Sequence, residues 1–474
     1  MATLVFDKAG NLYGVTNSGG AFNYGTVFEV SRNAGGGWTE KTLHNFNDNG
    51  KDGYNAYGSL IFDASGNLYG TSYSGGVNDL GTVYELIPRA GGTWGEKVLY
   101  NFAGTSGSGA YPFGNLVFDS KGNLYGTTNK GGTGTNCIGS GPACGVVYEL
   151  TRGSDGVWGE RVLYSFGASA TDGAYPNGGL VFDATGNLYG VALGGGLHGA
   201  GIVLELTPGA GGRWTEKDLH DFNPAALDGN GPYAGLVFDK VGNLYGTTID
   251  GGDYDDGAVY ELTPAGNGNW TEAVIFSFNS SVGFGGKNPL YGALILDAAG
   301  NVYGTTSAGG PEPGLLGTVF ELTSGSGGVW TQTVLVNFDG SNGAAPQAGV
   351  VFDGRGNLYG TTFESVFTGW ARCSSSHRSF SFEITCRKQP GGSGTSRRRR
   401  VANDRRKNDR PSTAPPPPPV PSRPSSPASA TKSAPPPGPV QSRSTASRSS
   451  PRQILTRAPD RRAGIPGRSA PRRR

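Results

Sequence analysis

One phrase recurs along this chain at an almost fixed interval, and it limits the possible folds more than any other feature. It reads FDKAGNLYGVT from Phe6 to Thr16 and FDASGNLYGTS from Phe62 to Ser72. Aligned on its aspartate, it stands at Asp7, Asp63, Asp119, Asp183, Asp239, Asp297 and Asp353, with successive spacings of 56, 56, 64, 56, 58 and 56 residues. A period near 56 is too long for most helical solenoids and fits one blade of a β-propeller. Length alone would divide 474 residues into two or three domains, but a propeller encloses that much chain in one assembly. The expectation is an all-β, seven-bladed β-propeller over residues 1–388.

Each unit carries four short runs rich in β-branched and aromatic residues, separated by Gly, Asn, Asp and Pro. In the second unit they cover 59–63, 67–71, 81–86 and 94–102, enough for one four-stranded blade. Between the first two lies Asp-x-x-Gly-Asn, a hairpin instruction. The Asp accepts a hydrogen bond from a backbone N–H two residues on, and the Gly supplies a positive φ. The turn pairs are Asp7 and Gly10, Asp63 and Gly66, Asp119 and Gly122, Asp183 and Gly186, Asp239 and Gly242, Asp297 and Gly300, and Asp353 and Gly356. The phrase lacks the alternating carboxylates of a calcium loop. If the seven aspartates ringed one channel mouth they would favour cations, but each has a local turn to satisfy. A Glu recurs in the third strand (Glu29, Glu85, Glu149, Glu205, Glu261, Glu321) and reads as a hydrogen-bonding partner within the blade. A Trp opens the fourth strand at Trp38, Trp94, Trp158, Trp214, Trp270 and Trp330 and reads as packing between blades.

The net charge of +2 averages two unlike regions. Residues 1–364 hold 15 Lys and Arg against 33 Asp and Glu, about −18, whereas residues 365–474 hold 24 against 4, about +20. An acidic body repels phosphate backbones, so nucleic-acid affinity would have to come from the tail. No run approaches the roughly 20 apolar residues of a membrane span, and no signal peptide precedes the first strand.

A site that exists once should lie where one unit departs from the rest. The third unit carries eight extra residues, with Cys137 and Cys144 in NCIGSGPAC, which in an exported protein would form a disulfide closing a small surface loop. Neither has a nearby His to make it a nucleophile. The fifth unit holds the densest acidic group, IDGGDYDDG, where Asp250, Asp253, Asp255 and Asp256 form a candidate calcium site or a solvated loop. His198 sits in a loop, whereas His44 and His220 fall 37 residues after their unit's aspartate, where Tyr100 and Phe276 stand elsewhere, and read as substitutes at an aromatic strand position. There is no Gly-x-Ser-x-Gly elbow and no His cluster with metal-ligand spacing, so no catalytic residue is assigned.

The seventh unit loses the pattern after Thr361. Phe382, Glu383, Ile384 and Thr385 fit a remnant of its third strand, because Glu383 follows Asp353 by 30 residues as Glu149 follows Asp119, but no fourth strand follows. Residues 389–474 are Pro, Ser, Ala and Arg, a mixture that cannot bury enough apolar surface to order itself. This disordered tail reads as a basic arm for nucleic acid or an acidic surface, as a proline-rich ligand, or as an out-of-frame translation of a GC-rich gene. The coincidence of lost repeat and shifted composition favours the last.

LVFDxxGNLYGTT, GTVYEL and a Trp-led strand at fixed offsets, over about residues 4–364, resemble the GloVer tandem-repeat proteins, and more distantly the NHL and gluconolactonase-type propellers. The resemblance implies an exported or surface-associated propeller and carries no established activity. The functional expectation is a non-catalytic repeat module that binds carbohydrate, peptide or protein through its blade loops, without a cofactor apart from calcium. The alternative is a propeller hydrolase or polysaccharide lyase with a calcium-like site at a channel mouth.

Overall fold

In the computed structural model the described residues are 2–35, 37–105, 107–137, 143–282, 285–310 and 315–363, together with the backbone of 380–384. The chain divides into a unit spanning Met1–Ser393 and a second spanning Gly394–Arg474, and the described residues all belong to the first. The tail expected beyond residue 388, with Cys373 and Cys386, lies outside the described residues.

The second blade shows the plan: strands Ile61–Phe62, Leu68–Ser72, Thr82–Pro88 and Trp94–Asn101 form an antiparallel meander. The Asp turn sets it. Asp63 Oδ1 accepts the N–H of Ser65 and of Asn67 at 2.8 Å each, Oδ2 accepts from the Asn67 amide at 2.9 Å, and Gly66 sits at φ +87°. A Cβ there would strain the backbone, which is why every copy of the turn has glycine at this point. Phe62 then pairs with Leu68, and the second strand is buried along its length.

Among the described residues, six such four-stranded blades form a β-propeller with almost no helix. A further sheet of Val351–Phe352, Leu358–Thr362 and Phe380–Ile384 follows, with Glu383 opposite Tyr359 in the register that Glu85 takes opposite Tyr69. The third and fifth sheets gain a fifth strand from the connectors Gly109–Pro112 and Gly229–Pro232, which pair with the far end of the second strand.

Blades are joined by aromatic side chains. Except after the fifth blade, where Leu296 takes the place of Phe, the second-strand Tyr meets the Phe of the next blade's first strand edge-on, as in Tyr13–Phe62, Tyr69–Phe118, Tyr125–Phe182 and Tyr189–Phe238, with centroids 5.1 Å apart in each of these four. Its hydroxyl donates to the third-strand Glu, from Tyr69 to Glu85 at 2.8 Å and from Tyr125 to Glu149 at 2.7 Å. The Trp of the following blade covers the same ring: Trp94 over Tyr13, Trp214 over Tyr125, Trp270 over Tyr189. The final sheet makes the same contacts to the first blade, Tyr359 with Phe6 at 5.3 Å and with Trp38 at 5.8 Å, and Arg32 donates to the Tyr359 hydroxyl at 2.8 Å.

Around the axis the first strands approach closely. Thr3 N donates to Ser59 Oγ at 2.8 Å, Ser59 N to Asn115 Oδ1 at 2.6 Å, and Gly349 N to Thr3 Oγ1 at 3.1 Å. A Cβ on Gly114 would fall 2.6 Å from the Gly178 carbonyl oxygen, so glycine lets these backbones pass.

Candidate functional site

The connectors into the first strands build one face of the propeller, opposite the Asp turns. Each hooks onto the preceding blade through a backbone N–H: Tyr111 to Leu80 O and Tyr175 to Cys144 O, both at 2.8 Å. To do so Tyr111 and Tyr175 take φ of +59° and +61°. Bulky side chains rarely occupy this region, and such strain gathers at functional sites.

Two residues further on, Tyr57, Phe113, Tyr233 and Tyr291 stand six residues before their blade's aspartate. Phe113 stacks on Tyr57 at 5.0 Å and also touches Tyr233 at 5.9 Å and Tyr291 at 5.6 Å, while Tyr233 and Tyr291 meet edge-on at 4.5 Å. A ring from the third blade reaches rings of the fifth and sixth only over the propeller axis, so the aromatic residues cap that mouth of the channel. Tyr73 stacks on Tyr111 beside them at 5.0 Å.

Next to this cap is a cavity of about 440 Å³, walled by these rings, Tyr175 and Leu193. Its polar groups are few and fixed: Asn129 Nδ2 donates to Asn177 Oδ1 at 2.7 Å, and the Lys130 ammonium lies 4.3 Å from the Tyr175 ring centre. Burial pushes the Tyr73 and Tyr233 phenols up, so both are neutral in ordinary buffers. Among the described residues, the lining holds no carboxylate, imidazole or thiol.

The residues singled out from sequence lie elsewhere. The turn aspartates are bound by their own hairpins on the opposite face. Asp7, Asp119, Asp183, Asp297 and Asp353 accept from the Asn four residues on, and Asp239 accepts three backbone N–H groups. In the acidic loop, Asp250 Oδ1 accepts from Asn288, Asp255 Oδ1 from Gly251 N, Asp256 Oδ2 from Ser280 N, and Asp253 is exposed. Those carboxylates do not form a three-ligand cluster among the described residues. His198 is exposed in its loop. Cys137 and Cys144 are joined as a disulfide, with Cys144 fully buried beneath the connector that carries Tyr175.

A second polar cluster lies between blades. In every four-stranded blade the fourth strand carries a bulge, and in the fourth blade it sets His220 beside Asp228 of the next connector, Nε2 to Oδ2 at 2.8 Å. Burial opposes the Asp228 charge, but the bonds from His220 and from the N–H groups of Asn223 and Gly229 outweigh it and hold its carboxyl low. Glu272 of the fifth blade completes the group and is pushed up to about 7 by burial and then by Asp228. His44, Asp52 and Glu96 occupy the same repeat positions between the first and second blades.

A family model described as the Gloeobacter/Verrucomicrobia repeat matches residues 1–140 and 133–369. No curated protein sequence matches the chain. Among solved structures, a luciferin-regenerating enzyme is 14% identical over 69% of this chain and 91% of its own, with a TM-score of 0.41. The extracellular domain of a one-component system from B. thetaiotaomicron is 10% identical over 76% of this chain and 36% of its own, with a TM-score of 0.45. An endo-arabinase from Bacteroides thetaiotaomicron is 13% identical over 58% and 94%, with a TM-score of 0.31.

Proposed function

The chain belongs to the Gloeobacter/Verrucomicrobia repeat family, and from that premise we propose that it is a non-catalytic propeller module that binds carbohydrate at its aromatic mouth. The observation that carries this reading is the cavity of about 440 Å³ between the rings of Tyr57, Tyr73, Tyr175 and Tyr233, edged by Asn129, Asn177 and Lys130. Ring faces stack on the apolar C–H face of a pyranose or furanose, while a small set of amide and ammonium groups orients its hydroxyls. The rings are already packed on one another, so binding costs little ordering of side chains.

A seven-fold ring supports the site. Tyr359 meets Phe6 and Trp38 as each second-strand Tyr meets the following blade, and we read the three-stranded sheet as a shortened seventh blade. The Cys137–Cys144 disulfide belongs to an oxidising compartment, which favours an extracellular or surface location. No helix of the described residues is long and apolar enough to cross a membrane.

The test is affinity electrophoresis and calorimetry against a panel of neutral and uronate-containing polysaccharides, with an unrelated peptide library as the contrast. Tyr73→Ala and Tyr233→Ala should each weaken saccharide binding about five-fold, given roughly 1 kcal/mol per stacked ring. Binding that survives both changes, or retention of peptides and no saccharide, refutes the reading.

A further inference from the structure

The cluster of His220, Asp228 and Glu272 repeats the residue types of His44, Asp52 and Glu96 but differs, among the described residues, in how closely its ligand atoms approach one another. His220 comes from the fourth strand of the fourth blade, Trp214–Asp221, and Glu272 from that of the fifth, Asn269–Ser277, with Asp228 in the connector between them. Each offers one ligand atom, and these atoms all lie within 4.8 Å of one another, a separation one ion can span.

The repeat provides its own control. Between the second and third blades the same three positions hold Tyr100, Ser108 and Glu160. There Glu160 Oε2 accepts from the Tyr100 hydroxyl at 2.9 Å and from Ser108 Oγ at 2.7 Å, and Oε1 accepts from Gly109 N at 3.0 Å, so both carboxylate oxygens are used. Between the fifth and sixth they hold Phe276, Gly285 and Gln332, and the Gln332 amide donates to Gly285 O at 2.9 Å. Where the connector carries Asp in place of Ser or Gly this balance fails, at Glu96, Glu216 and Glu272 alike, and among the described residues the last of these junctions brings an imidazole and two carboxylates within reach of one ion. Glu272 Oε1 is buried without a partner. So is the hydroxyl of Tyr260, which is 1% exposed and whose ionisation is opposed first by burial and then by Glu272 and Asp228, so it faces the cluster. Tyr148 is equally orphaned beside Glu160, but there the carboxylate is already satisfied. Buried acceptors without donors are costly, and the group that would satisfy two carboxylates and an imidazole together is a cation.

We propose that His220, Asp228 and Glu272 form a binding site for a divalent transition cation, zinc foremost, that clamps the fourth blade to the fifth. One imidazole nitrogen and two carboxylate oxygens suit the borderline character of zinc, whereas calcium and magnesium prefer oxygen alone. The ligands come from three segments that adjoin only in the folded ring, so the ion binds the native state and stabilises it. The site is independent of the aromatic mouth, and its failure would leave the carbohydrate reading untouched.

The experiment uses the full chain without a polyhistidine tag, stripped with EDTA, loaded with zinc chloride, desalted and assayed for metal by mass spectrometry. His220→Phe and Glu272→Gln place at these positions the residues that Phe276 and Gln332 supply one blade later, so both should fold. Each should lower bound zinc by one equivalent per chain, whereas Asp253→Ala in the acidic loop should not. Zinc should also raise the wild-type Tm, reversibly with EDTA. X-ray absorption of the zinc-loaded wild type needs no variant and should show a single imidazole among oxygen ligands. Failure to retain zinc, a stoichiometry unchanged in both variants, or a shell without an imidazole overturns the proposal.

Discussion

Tyr359→Ala tests whether the three-stranded sheet is an integral part of the ring. Tyr359 is 3% exposed and packs with Leu4, Leu12, Phe28 and Val30 of the first blade, besides its ring contacts with Phe6 and Trp38. A Tyr that buries about 150–250 Å² at about 25 cal/mol per Å² contributes about 4–6 kcal/mol, and large-to-small aromatic changes in cores cost about 3–5 kcal/mol. For the described stretch of residues 2–363, an unfolding entropy of about 2.1 cal/mol/K per residue makes each kcal/mol worth about 1.3 °C. The expected drop in Tm is therefore about 4–7 °C. Tyr125→Ala, at the same position between the third and fourth blades, should fall by a similar amount. Tyr359→Phe keeps the packing and loses the hydroxyl's bonds, those with Arg32 and Asp353 among them, so it should cost much less. Calorimetry with parallel urea titrations measures all three. If Tyr359→Ala costs under about 1 °C while Tyr125→Ala costs the full amount, the final sheet does not close the ring and the seven-fold reading is wrong.

Two further outcomes follow from buried groups. Glu216 lies between the third and fourth blades and is held well above the usual carboxylate range by burial and then by Asp218, with Asp172 adding to it and Tyr164 opposing it. A raised folded-state pKa means the native state holds the proton longer, so this contribution is complete below the usual Glu pKa of about 4.3 and fades as pH climbs through the raised value. Glu216→Gln, the residue found at position 332, should flatten the decline of Tm from weakly acidic to weakly alkaline pH; an unchanged slope refutes the assignment. Reducing the Cys137–Cys144 disulfide, whose partners are seven residues apart, should cost about 2 kcal/mol because the closed loop is short, seen as a fall of about 3 °C in dithiothreitol that Cys137→Ser with Cys144→Ser reproduces.

What was legible in the sequence is what every copy of the repeat restates. The turn, the second-strand Tyr, the third-strand Glu and the fourth-strand Trp all serve their own blade or its immediate neighbour, so seven near-copies point to one local solution. Even the damaged seventh unit could be read this way, since Glu383 falls opposite Tyr359 at the spacing that Glu149 predicts. The aromatic mouth was not legible, although Tyr57, Phe113, Tyr233 and Tyr291 share one offset from the aspartate. That offset holds Asn177 and Gln347 in other blades and lies in a connector, outside the strands that periodicity marks. The meaning of Phe113 also depends on blades two and three places away, which touch it only once the ring exists.

His220 fails in the opposite way. Its placement at an aromatic strand position was right, since it packs edge-on to Phe222 at 4.8 Å as Tyr100 packs on Phe102 at 5.2 Å. Its partners were hidden because Asp228 follows by eight residues and Glu272 by a further 44, spacings set by the blade period rather than by any metal-binding motif. A search for departures within single units therefore points to the acidic loop, where Asp250, Asp255 and Asp256 already accept bonds from their own surroundings. In a ring of repeats, side chains that serve a site rather than the scaffold are better sought by comparing the same inter-blade junction around the ring. There, a position that is Tyr, His or Phe, beside one that is Ser, Asp or Gly, changes the charge balance of a buried contact without altering the fold that contains it.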